Sequence, residues 1–153
     1  MTKPSFDDSD IRWQSLPGID HLHYSILDID EHRLIIDVLF KFASDEQILL
    51  HRHKVLNHML VIQGEHRLYE ADGRVKDIRP TGRYTVSPPS EDPHREGGGK
   101  DQDAIVYFSI RGSDGVLYEI LDDRLNTVGT LSFSDFVELN RSQAAEQSLA
   151  SGV

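Results

Sequence analysis

Four histidines crowd one short stretch of the chain, "LHRHKVLNHMLVIQGEH", residues 50 to 66: His51, His53, His58 and His66. Neutral imidazole binds Fe(II), Zn, Cu, Ni and Mn, although a single strand histidine is more often structural or solvent-facing. Spacing, more than number, points to chemistry here. His51 and His53 stand two apart at the end of the apolar-rich segment "EQILLHRH". Residues i and i+2 of a strand point to one side, so both imidazoles face one way and Arg52 the other. A short link, "KVLN", leads to His58. With the next strand starting near His58, a hairpin brings it beside the pair, and His58, Leu60 and Ile62 share the inner face. Far downstream, "SPPSEDPHREGGG" sets His94 after a proline-rich turn and before three glycines. Prolines fix the backbone before it and glycines loosen it afterwards, a setting for one rigidly aimed side chain. His51, His53, His58 and His94 are the candidate metal ligands. His21 and His23 form a second H-x-H, "HLHY", near the N-terminal arm and without a third partner placed by turn chemistry. With His32 and His66 they are expected to be non-ligands.

The elements that must position these side chains are short strands. Turn signals recur at close intervals: "LPG" at 16–18, "ADG" at 71–73, "RPTG" at 79–82 and "GSDG" at 112–115. Runs rich in Val, Ile, Leu, Phe and Tyr lie between them, the mark of an all-β sandwich or barrel. In "LIIDVLFKF", Leu34, Ile36, Val38, Phe40 and Phe42 share one face and Asp37 and Lys41 the other, the period of a half-buried strand. "EHRLYEADGRVKDI" reads as a hairpin around Asp72-Gly73, and Asp103 to Leu121 reads as another. One helix is expected near the C-terminus, capped by Ser132 or Ser134, with Phe136 and Leu139 as its apolar contacts. The final residues, 142–153, are expected to fray.

Composition bounds the function classes. The chain has 153 residues, 27% charged and 38% apolar, which favours one domain with one core. A formal charge of −10 argues against nucleic acid and anionic membranes as partners, since both require a basic surface. With no cysteine, disulfides, thiolate metal sites and cysteine nucleophiles are excluded. No apolar run approaches the ~18 residues of a membrane span. The opening "MTKPSFDDSD" is polar and acidic, unlike a secretory signal, so the expected location is cytoplasmic.

The two histidine segments together resemble the cupin superfamily. Its first motif is roughly H-x-H, three or four residues, an acidic ligand and, further on, a glycine; its second is P-x-G-x-x-H. His51 and His53 match the H-x-H, His58 stands where the family usually has glutamate, and Gly64 matches the turn glycine. Pro89 and His94 match the second motif, with Glu91 at its glycine position. The resemblance implies a double-stranded β-helix, a jelly-roll-like barrel with the metal inside its mouth. One cupin domain over 1–153 is expected, with a core of about 33–121, an N-terminal arm at 1–20 and a C-terminal helix and tail at about 132–153. Related cupins commonly pair through edge strands, implying a homodimer or homotetramer.

Within the superfamily the histidine-rich site looks most like the acetylacetone dioxygenase-like group, which cleaves β-diketones with Fe(II) and O₂ and holds iron by three histidines. That resemblance carries over to His51, His53 and His94. The chain is also similar to zinc-binding anti-sigma cupins, whose ligands fall on the same four positions. The implied cofactor is a divalent metal, Fe(II) for activity, with Zn or Ni as alternatives. Three neutral histidines would leave the full +2 charge on the ion and favour an anionic chelating substrate such as the enolate of a β-dicarbonyl. The expected activity is a non-heme Fe(II) dioxygenase acting on a small molecule and O₂. The alternative is a non-enzymatic metal or ligand sensor. Leu60, Ile62, Phe40, Tyr107 and Phe108 are pocket-wall candidates by parity. Glu96, two beyond His94, is a candidate acceptor for an imidazole N–H.

Overall fold

The computed structural model describes residues 6–150, the last four by backbone only. In order along the chain are β1 (Gln14–Ser15), β2 (Leu22–Asp30), β3 (Ile35–Phe42), β4 (His51–His53), β5 (Leu56–Gln63), β6 (His66–Tyr69), β7 (Val75–Arg79), β8 (Tyr84–Ser87), β9 (Arg95–Gly98), β10 (Ala104–Arg111), β11 (Val116–Leu121), β12 (Thr127–Ser132) and α1 (Phe133–Ala150). One wall is a six-stranded sheet ordered β1-β2-β3-β10-β5-β8. The other is made of two three-stranded sheets, β12-β11-β4 and β7-β6-β9. A single antiparallel bridge, His51 with His94, stitches these two together.

The alternation in β3 does what its pattern requires. Ile36, Val38, Phe40 and Phe42 are buried, and they meet Val106, Phe108 and Ile110 of the neighbouring β10 in the core between the walls. Leu34, expected on the same face, sits instead in the preceding turn with a positive φ. The hairpin expected around Asp72-Gly73 forms as β6 and β7.

The expected hairpin from Asp103 to Leu121 does not form. β10 is flanked by β3 and β5, whereas β11 lies in the other wall between β12 and β4. Both edges of β10 are already taken, so the "SDG" turn carries the chain across the core. Alternation tells which face of a strand is buried and is silent on its neighbours. The same holds for the link after His53: β4 and β5 belong to opposite walls and are not a hairpin.

Part of the expected N-terminal arm belongs to the sheet, as β1. Leu16-Pro17-Gly18-Ile19 closes with a hydrogen bond from Ile19 N to the Leu16 carbonyl, and Gly18 has φ 81°. Proline second and a positive-φ glycine third is the type II turn signature. It leaves Leu16 buried and packs Ile19 against the core. At the other end, Ser132 caps α1 reciprocally: its Oγ accepts from Asp135 N and Asp135 accepts from Ser132 N. Phe133 and Phe136 are buried, and the Gln143 side chain exchanges two hydrogen bonds with the Ile26 backbone. Gln143 thus serves as a strand partner where β1 has ended and the β2 edge would be bare. The fraying expected over 142–153 is not seen up to 150, where the helix continues; 151–153 lie outside the described residues.

Candidate metal centre

Strand parity brings the site together at the seam between the two smaller sheets. His51 and His94 face each other, joined by two backbone hydrogen bonds of 3.0 Å each. Residues directly opposite in an antiparallel pair project to the same side, and so do their i+2 neighbours. His53 follows His51 and Glu96 follows His94, so four side chains converge on one inner face. All four are buried, and their ligand atoms lie within 4.8 Å of one another.

The polar atoms are close. Nε2 of His53 lies 3.3 Å from Nε2 of His51 and 3.1 Å from Nε2 of His94. Oε2 of Glu96 lies 2.7, 3.5 and 3.4 Å from the Nε2 atoms of His51, His53 and His94. Donors held ~2.0–2.2 Å from a shared metal are about 3.0–3.5 Å apart, the spacing of four of these five pairs; His51 and Glu96, at 2.7 Å, stand closer. The lone pairs argue the same way. His51 Nδ1 donates to the Leu49 carbonyl, which turns the Nε2 lone pair toward the Glu96 carboxylate. A cation between them satisfies both acceptors.

Burial holds the His53 imidazole down to about 4 and also lowers His94, with the Glu96 charge only partly offsetting it. Burial opposes ionisation of Glu96, but the imidazoles of His51, His53, His66 and His94 packed around it outweigh it and hold the carboxyl well below its usual range. Near neutral pH the cluster therefore contains a buried carboxylate and imidazoles ready to donate lone pairs. A buried carboxylate with no cation beside it is costly, and a divalent ion removes that cost. With Glu96 counted, three imidazoles and a carboxylate leave a bound divalent ion at +1, one unit less than the three histidines alone imply.

The glycines after Glu96 bring the strand into place and do not loosen it. Gly97 and Gly98 are buried in β9. A Cβ at Gly97 would strike the Glu46 carbonyl oxygen, and one at Gly98 would lie 2.8 Å from the Phe42 carbonyl oxygen. Absence of side chains lets β9 pass against the β3–β4 connection and sets the depth of Glu96.

His58 is not brought to this cluster. Asn57, Met59 and Val61 are the buried positions of β5, so His58, Leu60 and Ile62 lie on its outer face. His58 Nδ1 pairs there with the Tyr84 hydroxyl. The inward face of β5 carries the odd-numbered residues, and one step in parity exchanges faces. Counting three residues from His53, in place of four, lands on Asn57, which is inside and wholly buried. Asn57 accepts a 2.7 Å hydrogen bond from Tyr118 and donates to the Val55 carbonyl. The carboxylate of the cluster comes instead from Glu96, on the far side of the seam.

Of the wall candidates, Phe40 and Phe108 are buried and line an apolar cavity of about 50 Å³ beside His51 and Glu96. Leu60 is exposed and Ile62 and Tyr107 are partly exposed. The arm and the far sheet complete the cavity through Leu16, Ile19 and Leu131. His66, expected to be a non-ligand, is fully buried with Nε2 2.7 Å from Glu96 Oε1.

Solved structures share this architecture. An RmlC-like cupin protein from Ralstonia eutropha superposes with a TM-score of 0.71 at 18% identity, covering 94% of this chain and 89% of that one. The chain has the cupin fold. An acetylacetone dioxygenase from Acinetobacter johnsonii matches this chain with a TM-score of 0.69 at 11% identity, over 94% of each chain. Rhodobacter sphaeroides SigE in complex with the anti-sigma ChrR matches with a TM-score of 0.53 at 22% identity, over 67% of this chain and 50% of that one. No family model matches the sequence, and no curated protein is matched to it. Among the described residues, no helix is long and apolar enough to cross a membrane.

Proposed function

We propose that this cupin is a non-heme Fe(II) dioxygenase that cleaves a small β-dicarbonyl compound. The observation that carries the reading is a buried three-histidine, one-glutamate cluster opening on a compact apolar cavity. Structural likeness to an acetylacetone dioxygenase supports it. In this reading His51, His53, His94 and Glu96 hold the ion. A bound Fe(II) supplies Lewis acidity toward the substrate's oxygens and a redox partner for O₂.

The remaining work falls to the chain's own side chains. The Leu49 carbonyl fixes the His51 tautomer. Phe40, Phe42 and Phe108 keep bulk water out and accept apolar substituents. Among the described residues no Lys or Arg lines the cavity, so a substrate carboxylate finds no counter-charge there beyond the metal. An enolate with small alkyl arms meets both conditions. Its single negative charge balances the +1 of the loaded centre.

Anaerobic reconstitution with Fe(II), followed by oxygen-electrode assays over a panel of β-diketones, tests the reading. Equimolar consumption of O₂ and diketone that depends on iron is the expected result. Stoichiometric iron with no O₂ uptake on any member overturns it. A second reading, a non-enzymatic zinc or nickel sensor, is favoured by the fourth protein donor, which leaves fewer open coordination positions, and by the likeness to the anti-sigma complex. Tight zinc together with absent uptake is its signature. Self-association belongs to the same proposal. β8 is an edge strand with Tyr84 and Val86 exposed, a surface for a second copy, and light scattering of the purified protein reports the oligomer.

A further inference from the structure

His66 and Glu96 form a buried pair that the ligand set alone does not require. β6 and β9 run antiparallel with Leu68 opposite Glu96 and His66 opposite Gly98. Gly98 offers no side chain on that face, and the imidazole leans diagonally to the carboxylate. Its ring stacks on Phe42 at 5.0 Å and meets Phe108 edge-on at 6.1 Å. Nδ1 has no hydrogen-bond partner, and Nε2 lies 2.7 Å from Glu96 Oε1. A lone pair left unpaired among aromatic rings costs less than an unpaired N–H, and a carboxylate oxygen is an acceptor. Both considerations put the ring proton on Nε2.

The two oxygens of Glu96 therefore have different neighbours. Oε2 faces the three Nε2 atoms of His51, His53 and His94, whereas Oε1 faces away from them onto His66. An unanchored carboxylate beside a divalent ion can turn and bind through both oxygens. We infer that His66 is a positioning residue that ties down Glu96 Oε1, so that the carboxylate presents one oxygen to the metal and leaves a coordination position free. The inference rests on the metal-centre reading and is independent of which reaction the centre performs. It also explains a fully buried histidine, packed in aromatic rings, whose only polar partner among the described residues is Glu96.

Cobalt(II) replaces the natural metal as a probe in the wild type and in His66→Phe and His66→Gln. Phenylalanine keeps the aromatic packing and removes the donor; the glutamine amide restores an N–H. Visible absorption of the wild type establishes that the site binds metal. Loss of about half the band intensity in His66→Phe, from a rise in coordination number, is expected, with cobalt affinity weakened roughly tenfold or more. His66→Gln recovers most of both. A His66→Phe spectrum and affinity equal to wild type overturn the positioning role while leaving the metal centre intact; absence of cobalt binding in the wild type overturns both. A measurement without substitution guards against a variant that fails to fold. In the zinc-loaded protein labelled with ¹⁵N-histidine, long-range ¹H–¹⁵N spectra should show His66 protonated at Nε2, and a proton on Nδ1 instead refutes the assignment.

Discussion

His53 and His58 lie on consecutive strands with only a short link between them, and they meet opposite environments. His53 is 2% exposed, and its Nε2 lies among two other imidazoles and a carboxylate. His58 sits on the outer face, beside Tyr84, which is 56% exposed. Neither composition nor local hydrophobicity separates them. The difference is parity: β4 places odd-numbered residues inside, and β5 also buries odd positions, Asn57, Met59 and Val61. An even-numbered histidine cannot join that face without a bulge. Membership of the candidate centre thus depends on which pleat a donor occupies, more than on how many donors are near in sequence.

The largest effect that sharpens the contrast comes from the inner set. His94→Ala removes one of three imidazoles, and Glu96→Gln removes the only charge among the four donors. Each should lower metal affinity by more than about a hundredfold, since even indirect partners of a ligand cost 10–100-fold. Metal analysis after exhaustive dialysis checks this. Full retention in both variants would mean that the cluster is not the metal site.

A smaller effect appears in the metal-free protein as pH changes. The folded-state imidazole of His53 sits at about 4 because burial disfavours its charged form, against about 6.5 for an exposed histidine. Between these values the unfolded chain binds the extra proton and the native state does not. Stability is therefore fully present above about 6.5 and is lost as pH falls toward 4. Glu96, held low by its imidazole partners, adds a loss of the same sign below its usual range. Urea unfolding in the presence of a chelator should show a decline on the order of 3 kcal/mol between pH 7 and pH 4. A flat profile would mean that His53 is not buried as a neutral ring.

Much of this was legible in the chain. The H-x-H spacing puts two imidazoles on one face, the proline-rich approach marks His94, and the same two-residue rule puts Glu96 beside it, although as an expected acceptor for an imidazole and not as one of the donors. The strand pattern of β3 and the cap at Ser132 were equally readable. What could not be read is whatever depends on pairing across the sequence. His66 meets Glu96 thirty residues away through the β6–β9 register, and no local signal announces it. The glycines at 97 and 98 look like a loop until the β3–β4 connection is found pressed against them. The turn between β10 and β11 has the composition of a hairpin, yet the occupied edges of β10 send the chain to the opposite wall.

The smallest expected effect is the one most able to break the comparison. His58→Ala deletes an imidazole from the same histidine-rich segment and leaves the inner ring untouched. Its ring contributes a contact with Tyr84 on the outer face of the sheet, where substitutions usually change stability by no more than ~0.5 kcal/mol. Metal occupancy should equal wild type, and the pH profile of the stripped protein should keep its slope, because His53 and Glu96 remain. Calorimetric metal titration of His58→Ala beside His94→Ala measures the difference directly. A loss in His58→Ala comparable to that in His94→Ala would place the fourth donor on β5, and a bulge that turns residue 58 inward would then be required. Without such a bulge the pleat forbids it, and the carboxylate must come from across the seam.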